Sequence, residues 1–179
     1  MSQMANVRRD REISRLQGSQ AQNWTNWVKA MVPPNTKGNN LEARGQGQVG
    51  SICTNIRSAF PDKARNCGIY EWRAKGTLDD QPNYIVYVGS TCRDKPGALR
   101  RRINEYCTGG SHKAKLMNDA LTKGYELWVR VKTSEGRNNA EDMENKLLEK
   151  YDYAWNFREN EEIRHILPRG KKSRVMRCL

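Results

Sequence analysis

Along the middle of the chain the apolar positions follow two different periods. GIYEW at 68–72 and YIVYVG at 84–89 are dense in β-branched and aromatic residues and predict strands. RAKGTLDDQPN between them is hydrophilic, so the two runs predict a hairpin with an enlarged loop. The spacing then turns helical. GALRRRINEYC places Leu99, Ile103 and Tyr106 at i, i+4 and i+7. In SHKAKLMNDALTKG, Ala114, Met117, Ala120 and Leu121 line one face, and Gly124 suits the helix end. YELWVRVK alternates Leu127, Val129 and Val131 against Trp128 and Arg130, a strand pattern. SEGRNNAEDMENKLLEKY carries the last helical stripe, Ala140, Met143, Leu147, Leu148 and Tyr151.

The order strand, strand, helix, helix, strand, helix predicts an α/β (α+β) fold, a small central antiparallel three-stranded sheet flanked by helices. Upstream, Trp24, Trp27, Val28 and Met31 follow helical spacing and predict a helix stopped by Pro33 and Pro34. NTKGNNLEARGQGQVG at 35–50 reads as a linker. The expected organisation is a helical and linker extension at 1–50, a core domain at 51–160 and a basic tail at 161–179.

Charge narrows the partners. The 179 residues carry a net +12, which points to a polyanion. Residues 90–132 hold ten Lys/Arg against four acids, whereas 133–156 hold three against six. An acidic patch beside a basic middle suits a cation together with a phosphate chain. The five cysteines contain no CxxC pair, so an ordinary zinc site is not expected and reduced thiols are the default. No signal peptide or long apolar run is present, so the expectation is a nuclear or cytoplasmic protein with no membrane partner. RGKKSR at 169–174 is a candidate import or phosphate-binding patch.

Two polar residues sit on apolar stripes. Glu144 lies between Met143 and Leu147, on the face that should be buried, while Glu141 and Asp142 do not. A carboxylate so placed must meet an arginine, take a proton or bind a cation. Arg102 shares a face with Leu99 and Tyr106. Arg101 is turned from it by about 100° on a helix of ~3.6 residues per turn. A structural salt bridge and a stem covering apolar neighbours are the plainer readings of Glu144 and Arg102.

GIY at 68–70 and YVG at 87–89 resemble the two halves of the GIY-YIG nuclease signature. Arg102 in LRRRINEY, Tyr106 four residues on, Glu144 in AEDMENKLL and Asn156 in YDYAWN follow in the family's order. The gap from Glu144 to Asn156 is similar to that of the bacterial excision-repair nuclease subunit. The stretch from Tyr106 to Asn156 looks closer still to the GIY-YIG-like domain of plant effector-of-transcription proteins. The resemblance implies a metal-dependent endonuclease acting on DNA, with one Mg2+ or Mn2+ held by Glu144 and no small-molecule cofactor. It implies Tyr70 as general base, its ordinary pKa near ~10 lowered by neighbouring Lys or Arg charge. Arg102 would neutralise the phosphate, Tyr87 and Tyr106 would orient water and phosphate, and Asn156 would fix Glu144 or the strand ends. His112, Lys113 and Lys115, with Arg101 and the tail residues Arg169, Lys171, Lys172 and Arg174, are the candidate phosphate contacts; His112 is also placed to assist Tyr70. Two other classes fit the same residues: a DNA-binding, transcription-regulating module that kept the scaffold but cuts weakly or not at all, and a binder of single-stranded RNA. The sequence does not set the oligomeric state.

Overall fold

The hairpin at the centre is longer than its apolar runs indicate. In the computed structural model, which describes residues 23–60, 67–78, 81, 83–151 and 153–156, β4 (Cys67–Gly76) pairs antiparallel with β5 (Asn83–Cys92). Much of RAKGTLDDQPN is therefore strand, because the ladder continues through Arg73, Ala74 and Lys75. The register sets Tyr70 opposite Gly89 and Trp72 opposite Tyr87, and it slips by one residue between Trp72 and Arg73. That bulge leaves Val86 as the extra residue beside Tyr87 and bends the strand there.

β4 is flanked on its other side by β6 (Tyr125–Ser134), so the three predicted strands stand side by side. The sheet is nevertheless six-stranded, in the order β2-β3-β1-β6-β4-β5. β1 (Val28–Val32), β2 (Leu41–Ala43) and β3 (Ser51–Cys53) complete it. The helix expected around Trp24–Met31 is instead the strand β1, with Val28 opposite Val129 of β6 and Met31 opposite Ile52 of β3. Ala30, Met31 and Val32 are all buried in succession, as in a strand covered on both faces. The two tryptophans that mimic a helical period lie over Arg130, 4.3 Å from the Trp24 ring and 4.7 Å from the Trp27 ring.

The expected linker is also fixed in place. Arg44 is buried and donates to Cys107 O at 2.6 Å, Val49 O at 2.9 Å and Asn118 Oδ1 at 2.8 Å. A single arginine thus ties the β2–β3 connection to the two helices.

Helices cover both faces. α1 (Ala98–Thr108) and α2 (Ala114–Thr122) pack Leu99, Ile103, Met117 and Leu121 against Tyr70, Trp72, Val129 and Val131. α1 stops at Gly109, whose φ of 90° favours glycine, and the Gly110 N–H closes the turn onto Glu105 O at 2.9 Å. α3 (Arg137–Lys150) covers the opposite face, where Leu148, Tyr151 and Tyr153 meet Ile85 and Val88. Beneath it lies a buried ion pair: Arg130 donates to Glu71 Oε2 at 2.5 and 2.9 Å, and Tyr153 Oη to Glu71 Oε1 at 2.5 Å.

Not every thiol is free. Cys67 and Cys92 face each other directly across the β4/β5 ladder, Cα atoms 4.0 Å apart, and are joined as a disulfide. Cys53 and Cys107 are free and buried. Residues 1–22 of the expected extension and the basic tail lie outside the described residues, as does Cys178.

Candidate active site

The hairpin and α1 bring three tyrosines together. Ring centroids are 6.3 Å apart for Tyr70 and Tyr87, 5.5 Å for Tyr70 and Tyr106, and 6.0 Å for Tyr87 and Tyr106. The Tyr70 and Tyr106 hydroxyls hydrogen-bond each other at 3.0 Å. Room for Tyr70 comes from Gly89 opposite it: a Cβ at that position would lie 2.6 Å from the phenolic oxygen. The glycine of YVG is therefore required by the tyrosine of GIY.

The three consecutive arginines of α1 diverge as helical geometry dictates. Arg100 reaches Phe60 O, Arg101 is exposed, and Arg102 turns over the tyrosines. Arg102 Nε donates to Tyr70 Oη at 3.3 Å and Nη2 to Tyr106 Oη at 3.4 Å, with the guanidinium 4.8 Å from the Tyr106 ring centroid. Its third arm donates to Glu105 Oε2 at 2.9 Å, and Arg93 holds the other oxygen of Glu105 at 2.7 Å. Partial burial would raise the Glu105 carboxyl, but the hydrogen bonds and charges of Arg102 and Arg93 outweigh it and hold the group below the ordinary range.

From the other face of the sheet, α3 brings Glu144 to the rim of β5. It is half-buried, as are Met143 and Leu147, while Glu141 and Asp142 are exposed. Ser90 Oγ, two places after Val88, donates to Glu144 Oε2. Glu144 also lies near enough for its charge to add to the upward push on Tyr70 and Tyr87.

A family model described as GIY-YIG domain-containing protein matches residues 57–166, well over half of the chain. The chain belongs to the GIY-YIG family. Neither a curated protein nor a solved structure matches it. The domain is thus of nuclease type, and the signature residues of this GIY-YIG domain can be placed one by one.

Asn156 secures the strand rather than the helix. Its side chain accepts from Val88 N at 3.0 Å and donates to Val88 O at 2.9 Å, while Trp155 N donates to Val86 O at 2.8 Å. Residues 155–156 thereby dock on the outer edge of β5, on both sides of Tyr87. Of the candidate phosphate contacts before α2, Lys113 is buried: its ammonium donates to Trp155 O and lies 4.9 Å from the Tyr87 ring centroid. Lys115 is exposed. His112 is exposed and stands edge-on to Tyr87 at 6.2 Å and to Tyr106 at 6.4 Å. Arg169, Lys171, Lys172 and Arg174 lie outside the described residues.

The protonation of the tyrosines runs opposite to what the resemblance requires. Tyr70 is 1% exposed, and burial pushes its hydroxyl up; the hydrogen bonds from Tyr106 and Arg102 offset this only in part. Tyr87 and Tyr106 are raised as well, by burial first. All three are neutral phenols at physiological pH.

Among the described residues no three His, Cys, Asp or Glu side chains cluster as a metal site. One half-exposed carboxylate with a hydroxyl beside it is a donor set that fits a hard ion keeping most of its waters and taking phosphate oxygens for the rest.

Three contributors carried no signal the sequence reading used. Ser90 follows YVG directly. Glu105 is three residues from Arg102 on a helix, a spacing at which side chains meet. Arg93 reaches it from the β5–α1 connection.

Proposed function

We propose that this GIY-YIG domain is a metal-dependent endonuclease that hydrolyses DNA phosphodiester bonds. The observation that carries the reading is the convergence of Arg102, Tyr70 and Tyr106 in one hydrogen-bonded group with Glu144 close by. Glu144, with Ser90 beside it, would hold one Mg2+ or Mn2+, which when bound supplies charge stabilisation at the phosphate and the leaving oxygen. Arg102 presents a planar fork to the non-bridging oxygens and neutralises the charge that grows there. Glu105 holds that fork in place while the site is empty of substrate. The phenols, being protonated, donate hydrogen bonds to phosphate and water. Arg101 and Lys115, both exposed, would meet the flanking phosphates.

A second reading keeps the scaffold as a DNA-binding, transcription-regulating module with weak or no cleavage. It is favoured by one observation: Arg102 is already paired with Glu105 and the tyrosines are sealed. Nicking of supercoiled plasmid by the purified protein, with Mg2+ or Mn2+ and then with chelator, separates the two. Chelator-sensitive relaxation supports the nuclease; binding without relaxation supports the module.

A further inference from the structure

α3 has two flanks, and Glu144 uses only one. It turns toward β5, where Ser90 meets it. Met143 is one residue away, hence about 100° around an ideal helix. With Lys146, Leu147 and Lys150 it lines an open groove of about 250 Å³ on the other flank, toward β6. Ile69 of β4 and Lys132 of β6, paired directly across the ladder, line the same groove. Trp24 and Tyr151 complete its lining.

The wall that carries Trp24 is held firmly. Arg130 stacks on the Trp24 ring at 4.3 Å and is itself paired with the buried Glu71. The neighbouring Thr25 is bonded to β6 twice: its N–H donates to Val131 O at 2.9 Å, and its hydroxyl accepts from Val131 N at 3.0 Å. Beside this apolar and aromatic surface stand three lysines. Lys146 and Lys150 are exposed and Lys132 is half-buried. Among the described residues no carboxylate forms an ion pair with any of them, whereas Lys29, Lys123 and Arg57 each have one.

Three cations without carboxylate partners, set around apolar and aromatic side chains, suit a ligand with a flat body and several negative charges. The groove is smaller than the ~300–1,000 Å³ of pockets that bury a whole drug-sized ligand, so it admits one ring and leaves the charges at the lysines. A nucleotide within a single strand has that form, with a π-face for the aromatics and a phosphate on either side. A base stacked inside a duplex has no free face to offer. Resting on the nuclease reading only for the choice of nucleic acid, we propose that this groove seats one unpaired nucleotide of a DNA strand. Its base lies against Trp24 and Met143, and its phosphates meet Lys132, Lys146 and Lys150. A strand seated there is gripped on the far flank of α3 from Glu144.

The test is binding by the full chain in chelator, so that nothing is cut, of labelled strands of equal length: oligothymidylate, an abasic strand and oligouridylate, with polyglutamate as a protein-like polyanion. Wild type should hold oligothymidylate roughly 5- to 100-fold more tightly than the abasic strand, the share of one stacked base. Changing Lys146→Glu and Lys150→Glu together should weaken binding of both DNA strands and lower the slope of log affinity against log salt by about 0.7 for each lost phosphate contact. Lys37→Glu, an exposed lysine outside the groove, should do less. Met143→Trp fills the groove without changing its charge, and should erase the preference for bases while the abasic strand binds as before. Equal wild-type affinity for the thymidylate and abasic strands, or a base preference that survives Met143→Trp, overturns the proposal. Tighter binding of oligouridylate overturns it in favour of RNA. Lysine variants that weaken polyglutamate alone overturn it in favour of an acidic protein segment. Any of these failures leaves plasmid nicking, and so the nuclease reading, untouched; a protein that never nicks plasmid still gives the affinities that decide the groove.

Discussion

Gly89 and Tyr70 stand opposite each other across the β4/β5 ladder, and the phenol of one occupies the place where a side chain of the other would be. Gly89→Ala should therefore displace Tyr70, which has no room to retreat inside a buried cluster. We expect a loss of about 1–3 kcal/mol in stability from overpacking. Cleavage should fall by ~10²-fold or more from the misplaced phenol. Denaturant unfolding and plasmid relaxation check the two effects. An alanine protein of unchanged stability and rate would mean that Tyr70 has another position available.

Arg102 and Arg101 are adjacent in sequence and differ in what they touch. Arg102→Ala should reduce the single-turnover rate by roughly 10²- to 10³-fold with a modest change in affinity, because it acts where charge develops. Arg101→Ala should weaken binding, more so at low salt, and spare the rate of bound DNA. Arg102→Lys keeps the charge without the fork and should restore binding better than turnover. The same effect from both alanine variants would contradict the division.

The three consecutive arginines show how much of the site the sequence carried. The spacing Leu99, Ile103, Tyr106 fixes the buried face of α1, and with it the direction of Arg102. The runs of β4, β5 and β6 and the stripes of α2 and α3 were legible for the same reason: each is long enough for its period to show. β2 and β3 are three residues each and have no period to read. Just before β1 the spacing of Trp24 and Trp27, both stacked on Arg130, imitates a helix. Arg44 could not be read at all, since its partners come from residues 49 to 118 and only the fold brings them together. The burial of Tyr70, which pushes its hydroxyl up against the pull of Arg102, could not be read either, because a sequence shows nearby charges but not burial.

Asn156 completes the hydrogen bonding of Val88 on the outer edge of β5. Asn156→Ala leaves a buried donor and acceptor without that partner, at a cost of about 1–3 kcal/mol. The loosened strand carries Tyr87, Gly89 and Ser90, so the rate should fall as well. Hydrogen exchange at the Val88 amide checks this locally: it should speed up in the variant before the rest of the sheet does.

The tyrosine cluster sets the response to alkali. Tyr70, Tyr87 and Tyr106 have raised pKa values in the folded protein, so the stability they contribute is complete below the ordinary ~10 and is lost as pH rises beyond it. An ultraviolet titration of the seven tyrosines should show a fraction that ionises only as the protein unfolds. Tyr106→Phe should remove part of that late fraction. Complete ionisation of the folded protein near ~10 would contradict the burial argument.

The central claim is that Glu144, turned toward the rim of β5 beside Ser90, is the carboxylate on which metal-dependent cleavage rests. It is tested most directly by relaxation of supercoiled plasmid with Mg2+ by three proteins: wild type, Glu144→Gln and Glu141→Gln, whose carboxylate is exposed on the same helix. The account predicts relaxation by wild type and by Glu141→Gln at similar rates, and a loss of several orders of magnitude in Glu144→Gln with folding and DNA affinity retained. Equal activity in Glu144→Gln and Glu141→Gln, or no metal-dependent relaxation by wild type, would contradict it.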